Sequence, residues 1–265
     1  MRRLGNLAKR FLFLLIFFTF AAIYLYGQEP TKEQIKKFGI VSITTIDGDG
    51  QVKSIEVFNK EGDLAKILDL NEGDTLLRKD FLFKDGLVQE ETTYTTTGRI
   101  HRITKYKYDG KNALVRSESY DPDKLDGTTT FEYDQDGKKV KATTTSGTSG
   151  NSVTVFKYLD SRLSEEEVTN NLIGKEERST YKYDEKGRLT EKRTRYFFSN
   201  TVMTEKFVYD INGLLTEWIE KSSNGVSSRS RYEYDANGIL TADVWKSSLS
   251  KTPSRTTYII EYRTN

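Results

Sequence analysis

Hydrophobic and polar residues alternate along most of the chain after residue 52, and the alternation recurs as a unit. Its clearest copy is Tyr-Lys-Tyr-Asp-Glu-Lys-Gly-Arg-Leu-Thr at residues 181–190. The second aromatic position of successive units falls at Phe58, Phe83, Tyr108, Tyr133, Tyr158, Tyr183, Tyr209, Tyr234 and finally Ile260. Neighbouring positions are 25 or 26 residues apart, and so regular a period is typical of a repeat protein. The pattern predicts about nine repeat units in residues 52–265.

Each unit is predicted to fold as a β-hairpin. Asp184, followed three residues later by Gly187, suits a type I turn that ends in a left-handed residue, which is the turn of a hairpin with a bulge. A second turn signal lies midway between these turns, so the chain predicts an antiparallel meander of roughly 16 to 18 strands. The positions expected to hold the repeats together are Tyr133, Tyr183, Gly187, Leu189, Tyr209, Gly213, Tyr234 and Gly238.

The hairpin turn also predicts which residues face each other. Counting outward from the turn, we expect Tyr181 opposite Glu191 and Glu177 opposite Arg195. Because side chains alternate between faces, Tyr181 and Leu189 share an apolar face. The few apolar residues of one unit return about 1.5–3 kcal/mol each, which is too little to order its backbone at about 1–2 kcal/mol per residue. We therefore expect an all-β fold in which the hairpins form a coiled, extended sheet and neighbouring units cover the apolar face.

An outer-membrane barrel is the alternative architecture, because it is also an antiparallel meander. Its strands need an apolar residue at every second position toward the lipid. The stretch from Arg188 to Arg195 has Glu191 and Arg193 on one face and Lys192 on the other, so neither face suits lipid. The sequence favours the coiled sheet.

Residues 1–27 are predicted to be a signal peptide. Basic residues precede an uncharged apolar run of 16 residues, Phe11 to Tyr26, whereas a membrane-spanning helix needs about 20. Cleavage is expected after Gly27 or, alternatively, after Ala21, and an uncleaved membrane anchor stays open. Either outcome places the repeats outside the cytoplasm, in the periplasm or at the cell surface.

Residues 28–51 form a predicted lead-in to the repeats. Thr31 to Gln34 has the spacing of a capping box and Gly39 suits the end of a helix, so a short helix is predicted between them. Residues 40–58 then read as a first hairpin that turns at Asp47-Gly-Asp-Gly50.

The repeat motif at 181–190 resembles the RHS or YD repeat of bacterial proteins, and the units at Tyr209 and Tyr234 match nearly as well. The resemblance covers most of the chain after residue 52. It implies long, coiled β-sheets in exported or surface proteins that contact carbohydrate or protein or take part in toxin delivery. The chain has far fewer repeats than the shell-forming members and lacks the Asp-Pro-x-Gly-Leu motif of their core segment. Neither self-cleavage nor a toxin cargo is therefore implied.

Composition excludes several kinds of chemistry. The chain has no cysteine and a single histidine, His101, which excludes thiolate catalysis and His-rich metal sites. The turn at residues 47–50 resembles a calcium loop, but Phe58 stands where an EF-hand has its bidentate Glu. Carboxylate pairs such as Glu176-Glu177 lie among Lys and Arg with no sign of a cleft. We therefore predict no enzyme activity, no metal and no cofactor.

The balance of charge gives no indication of nucleic-acid binding. Without the signal peptide, 37 basic and 39 acidic residues remain, and both signs are mixed along the strands. The expected partner is an envelope polysaccharide or another surface protein. Contact with a membrane is expected only through an unprocessed N-terminal segment.

Trp218 and Trp245 are the candidate binding residues. From the hairpin turns, Trp218 is expected opposite Lys206 and Trp245 opposite Arg229, on the face away from the tyrosines. Exposed aromatics beside cations suit a sugar platform; the alternative is that each ring covers its basic neighbour as ordinary structure. The sequence thus predicts an exported, non-catalytic envelope or surface protein that binds carbohydrate or protein on an extended β-sheet. A scaffold or shell component of an RHS-like toxin or surface assembly is the alternative.

Overall fold

The computed structural model describes residues 30–147 and 150–264, and it begins with the predicted helix. Helix α1 spans Lys32–Phe38, with Thr31 and Gln34 forming the capping box and Gly39 ending the helix at φ 65°. The capping prediction is confirmed, whereas the predicted signal peptide lies outside the described residues. Within the described ranges, no helix has the length and hydrophobicity needed to span a lipid bilayer.

Eighteen antiparallel strands follow the helix and form one sheet. They are β1 (Ile40–Ile46), β2 (Val52–Phe58), β3 (Leu64–Asn71), β4 (Asp74–Lys84), β5 (Leu87–Tyr94), β6 (Ile100–Tyr108), β7 (Leu114–Asp121), β8 (Lys124–Tyr133), β9 (Lys139–Ser146), β10 (Ser152–Leu159), β11 (Arg162–Asn170), β12 (Gly174–Tyr183), β13 (Leu189–Tyr196), β14 (Thr201–Tyr209), β15 (Leu215–Ser222), β16 (Ser227–Tyr234), β17 (Leu240–Ser247) and β18 (Ser254–Tyr262). Each strand pairs with the next along the chain, which confirms the predicted meander.

The sheet closes on itself, so the predicted coiled, extended sheet is wrong. The last strand, β18, pairs with β1 as well as β17, with Ile43 opposite Ile260 and Thr44 opposite Ile259. The result is a closed 18-stranded antiparallel barrel. Closure has a physical reason, because a twisted sheet of this size otherwise leaves two long unpaired edges. The C-terminal strand β18 supplies the second partner of β1.

A β-bulge follows the tight turn of most units and shifts the predicted register by one residue. In β12 and β13, Tyr183 lies opposite Leu189 as expected, but Lys182 then lies opposite Glu191, leaving Thr190 without a partner in the ladder. A one-residue shift moves every later side chain to the other face. The predicted pairing of Tyr181 with Glu191 is therefore wrong.

The same shift changes the partners further along these strands. Tyr181 faces Lys192, and Arg195 faces Arg178 in place of the predicted Glu177. The turn itself is as predicted: Gly187, with φ 83°, takes the left-handed position, and Gly213 and Gly238 do the same.

Helix α1 lies at the end of the barrel where the tight turns are. Ile35 packs in a buried cluster with Ile40, Ile43, Phe58 and Ile239. These residues come from β1, β2 and the β16–β17 turn, so the helix joins the two sides of the closure.

The turn between β2 and β3 approaches the helix closely. Lys32 forms an ion pair with Asp63. A Cβ atom added to Gly62 would lie 2.8 Å from the backbone oxygen of Lys32, so only glycine fits there.

The second tyrosine of each repeat holds neighbouring hairpins together. Its hydroxyl donates to a backbone carbonyl near the start of the preceding strand, beyond the last backbone pair between the two hairpins. The bonds are Tyr108 to Val88, Tyr133 to Leu114, Tyr158 to Lys139, Tyr183 to Leu163, Tyr209 to Leu189 and Tyr234 to Leu215, at 2.7–2.9 Å. Phe58 and Phe83 lack the hydroxyl, and Phe58 packs in the helix cluster instead.

Leucines next to these tyrosines are buried. Leu215 is fully enclosed, and Leu189 and Leu240 are nearly so. Tyr181, Tyr183 and other partly buried aromatics pack against the cluster around Leu189. The prediction that the apolar face of Tyr181 and Leu189 is covered is confirmed.

Candidate functional site

The two faces of the barrel wall differ in exposure and in charge. The face that carries Ile43 and Ile260 packs on α1 and is the more buried of the two, as expected of the inner, concave face of a closed sheet. On β12 this face carries buried Ser179 and partly buried Tyr181, while Arg178 and Lys182 on the opposite face are exposed. Barrels of 16 to 18 strands usually enclose more space than their side chains fill, so the inner wall is a concave surface on which a ligand could bind.

Acidic side chains dominate the inner wall from β11 to β17. They are Glu166, Glu177, Glu205, Glu220 and Asp243, with Lys192 among them. Lys192 lies directly opposite Glu205, and Glu205 lies directly opposite Glu220. The hydroxyl of Tyr181 donates to Glu166 Oε1 at 2.6 Å. Like charges opposite each other destabilise a sheet, so Glu205 and Glu220 repel each other when both are ionised.

Burial raises the pKa values of three inner carboxyls, those of Glu177, Glu205 and Asp243. The pKa of Glu177 is raised first by desolvation and then by Glu166, against an opposing effect of Lys192. Desolvation likewise raises the pKa of Glu205; Lys192 opposes the shift and Glu220 reinforces it. The pKa of Tyr196 rises to about 12 through burial and the neighbouring carboxylates. All of these shifts disfavour further negative charge inside the barrel.

Both predicted binding tryptophans lie on the inner face, so their predicted positions are wrong. The bulge in β15 places Trp218 opposite Phe207 rather than Lys206. Trp245 lies opposite Ser230 rather than Arg229. Since Trp218 also pairs with Ser230, the two indoles occupy one row on β15 and β17, about 10 Å apart at the usual strand spacing.

The two tryptophans differ in their surroundings. Trp218 packs against the cluster of Leu189, Phe207 and Leu215, and its indole N–H is buried without a hydrogen-bond partner among the described residues. Trp245 is 38% exposed. Beside it, Asp243 Oδ1 accepts a 2.8 Å hydrogen bond from the Tyr258 hydroxyl. An accessible ring with one carboxylate, Asp243, beside it and a small buried serine, Ser230, opposite it is a set of groups suited to binding.

Positive charge is concentrated on the outer face of the same strands. Ion pairs join Arg178 to Glu165 and Lys182 to Glu191, and Arg229 pairs with Glu217. A face with a charge at so many outward positions does not form the apolar band of a lipid-facing wall. The charged outer face of β11–β17 therefore argues against lipid contact there. A closed antiparallel sheet is the one feature that this structure shares with the outer-membrane barrel.

The remaining sequence candidates take no part in this site. His101 is exposed on β6. Asp47 uses its side chain to accept hydrogen bonds from the N–H groups of Asp49 and Gln51, which closes the turn that resembled a calcium loop. Among the described residues, no group of three or more His, Cys, Asp or Glu side chains is placed to hold a metal ion.

A second concave surface lies at the tight-turn end. It is a cleft of about 630 Å³ between Gln34 of α1 and the turns that contain Asp210, Asn212, Asp235 and Asn237. The aspartates already accept backbone hydrogen bonds within their own turns, so the cleft offers fewer free acceptors than the inner wall.

The inner carboxylates were missed by sequence reasoning. Glu205 and Glu220 were absent from the candidate residues because the register without a bulge hides their pairing across β14 and β15. The available signal was the alternation within β14, where Met203, Glu205 and Phe207 share a face.

Comparison with known proteins identifies structural similarity but no family. No protein-family model matches the chain, and no curated protein matches it. Among solved structures, it is similar to a porin-like protein from Bacteroides uniformis, with 12% identity, a TM-score of 0.48, and coverage of 89% of this chain and 100% of that chain. A porin-like protein from Bacteroides vulgatus gives 12% identity, a TM-score of 0.41, and 84% and 98% coverage. A chain of the TcdB2-TccC3-Cdc42 crystal structure gives 13% identity and a TM-score of 0.41, with 79% of this chain matching 14% of that one.

Proposed function

We propose that the protein is an exported, non-catalytic envelope protein whose barrel binds a carbohydrate on its inner wall. The row of Trp218, Ser230 and Trp245 supports this proposal, because it combines two aromatic rings with a small residue between them. Glu220 and Asp243 lie next to the row and supply acceptors for sugar hydroxyls. Aromatic surface with a few oriented polar groups is the usual composition of a small-molecule site.

The outer charge of the barrel supports a location in an aqueous compartment of the envelope. Exposed ion pairs such as Lys182 with Glu191 and Arg255 with Glu233 face outward. The predicted signal peptide supports export, and the ligand is a soluble or polymeric glycan of the same compartment.

Tryptophan fluorescence offers a direct test, because Trp218 and Trp245 are the two tryptophans of the chain. A glycan array identifies a ligand, which is then titrated against the purified protein. Binding is expected to change the emission, and Trp245→Ala is expected to weaken binding by about tenfold or more through loss of an aromatic contact. Phe198→Ala is the matched control, since Phe198 is 94% exposed in the β13–β14 loop.

Two outcomes contradict the proposal. If the Trp245→Ala variant binds the glycan as tightly as the unmodified protein, the row of Trp218, Ser230 and Trp245 is not the binding site. Release of sugar from the bound glycan contradicts the non-catalytic part, and Glu205 and Glu220 are then the first carboxylates to replace.

A further inference from the structure

The outer face of β12–β17 carries an unusual excess of positive charge. Six of its exposed cations are here called the basic wall: Arg193, Arg195, Lys206, Lys221, Arg229 and Lys246. Arg178, Lys182 and Arg231 on the same face are bound in ion pairs with glutamates. Acidic residues on the outward positions of these strands are fewer, namely Glu191, Glu217 and Glu233. Five of the six, Arg193, Arg195, Lys206, Lys221 and Lys246, form no ion pair in the part of the chain that the structure describes, whereas Arg229 pairs with Glu217.

Pairing brings several of these cations together. Arg195 lies directly opposite Arg178, and Arg229 lies directly opposite Lys246. Cross-strand pairs of like charge destabilise a sheet, and the distances involved are shorter than the screening length of about 8 Å in physiological salt. One cation of each pair is already bound by a glutamate, Arg178 by Glu165 and Arg229 by Glu217, which leaves Arg195 and Lys246 available to an external anion.

The spacing of the cations favours an extended ligand over a single ion. Arg193 and Lys221 flank Thr204 in one row, so they are two strands, or about 10 Å, apart. Lys206 and Arg229 flank Ile219 in the next row in the same way. The six strands span roughly 24 Å of convex surface at the usual strand spacing. A flat lipid surface touches such a surface along only a few strands, whereas a flexible polymer can follow its curvature.

We propose that the basic wall binds an anionic polysaccharide. Carboxylate or sulfate groups along such a polymer meet the two rows of cations, and the polymer bends with the barrel. Among the described residues of β12–β17, the outward positions carry no aromatic ring, so the wall lacks the stacking platform that single-stranded nucleic acid uses. This surface lies on the opposite side of the barrel wall from Trp218 and Trp245, and its ligand is independent of the inner-wall carbohydrate.

The test measures binding of the purified protein to heparin and polygalacturonate, with neutral dextran as the uncharged control. Binding to the anionic polymers is expected to weaken as salt rises. The triple variant R193Q/K221Q/K246Q is expected to lose about tenfold in affinity, given the usual contribution of an exposed charge contact. The matched control K60Q/K84Q/K111Q removes the same number of exposed charges from the tight turns and their edges, and is expected to bind normally.

Circular dichroism of both triple variants checks that the barrel is folded. The proposal is overturned if the first triple variant binds like the control, or if neither anionic polymer binds. Tighter binding of polydeoxythymidylate than of either polysaccharide assigns the wall to nucleic acid instead. Trp245→Ala is expected to leave this binding unchanged, which separates the result from that of the inner-wall proposal.

Discussion

The hydroxyl of Tyr183 donates a 2.9 Å hydrogen bond to the backbone carbonyl of Leu163, in the neighbouring hairpin. The backbone ladder between these two strands ends at Glu165 and Thr180, so the tyrosine extends the contact toward the tight-turn end. The same relationship recurs in the six repeats that have a tyrosine at this position, and it gives the hydroxyl a structural role beyond that of the aromatic ring.

Removing that hydroxyl should weaken the barrel without changing its packing. Tyr183→Phe is expected to lower the free energy of unfolding by about 1–1.5 kcal/mol, because the partly buried Leu163 carbonyl loses its partner. Tyr262→Phe is the control, since Tyr262 is 46% exposed on β18. Urea denaturation measures both, and equal midpoints for the two variants would contradict a structural role for the hydroxyl.

The close approach of α1 to the β2–β3 turn gives a second prediction. Gly62 and Gly86 both have positive φ, 83° and 76°, but an added Cβ meets the Lys32 backbone at Gly62 and nothing at Gly86. Gly86→Ala is expected to cost about 1–2 kcal/mol for the left-handed backbone alone. Gly62→Ala should cost more and should increase hydrogen exchange in α1. Equal costs, with α1 still protected, would show that the helix is not docked on this turn.

Glu205 predicts how stability depends on pH. Its pKa is raised in the folded protein, so the folded state binds the proton more tightly than the unfolded chain. Stability from this group is then present below the unfolded pKa and is lost as pH rises through the folded value. Glu205→Gln is expected to match the unmodified protein near pH 4 and to melt at a higher temperature near pH 7.

Glu191→Gln is the contrasting variant, because the pKa of Glu191 on the outer face is lowered, chiefly by its hydrogen bond with Lys182. Its replacement is expected to lose stability at neutral pH. Melting temperatures of both variants across this pH range give the comparison. A Glu205→Gln variant that is less stable at pH 7 would contradict the inner location of Glu205.

Much of the architecture was predictable because it depends on local sequence. The capping box at Thr31, the left-handed glycine at Gly187 and the 25-residue period each involve residues close in the chain. The face of the sheet on which each side chain lies was not predictable. One bulge residue such as Thr190 leaves the alternation of the sequence unchanged, but it reverses the face of every residue beyond it. Trp218 and Trp245 were therefore assigned to the wrong side of the wall.

Closure was not predictable for a different reason. The partners Ile43 and Ile260 are separated by nearly the whole chain, and no local pattern reports a pairing at that distance. Strand β18 at the C-terminus completes the ring by pairing with β1. The inner carboxylates were not predictable for the same reason, because an inner wall exists only once the sheet is closed.

Formation of an engineered disulfide tests the closed barrel most directly, because the chain has no cysteine of its own. Thr44 and Ile259 lie directly opposite each other on β1 and β18, and the Cα atoms of such a pair are about 4.5–5.5 Å apart, within reach of a disulfide. In T44C/I259C, mild oxidation is expected to give an intramolecular disulfide, seen as a mobility shift of the monomer that reverses on reduction. The control V155C/I259C, with its second cysteine on β10, should stay reduced. Failure of T44C/I259C to cross-link, with the protein folded, would contradict closure and with it the inner wall.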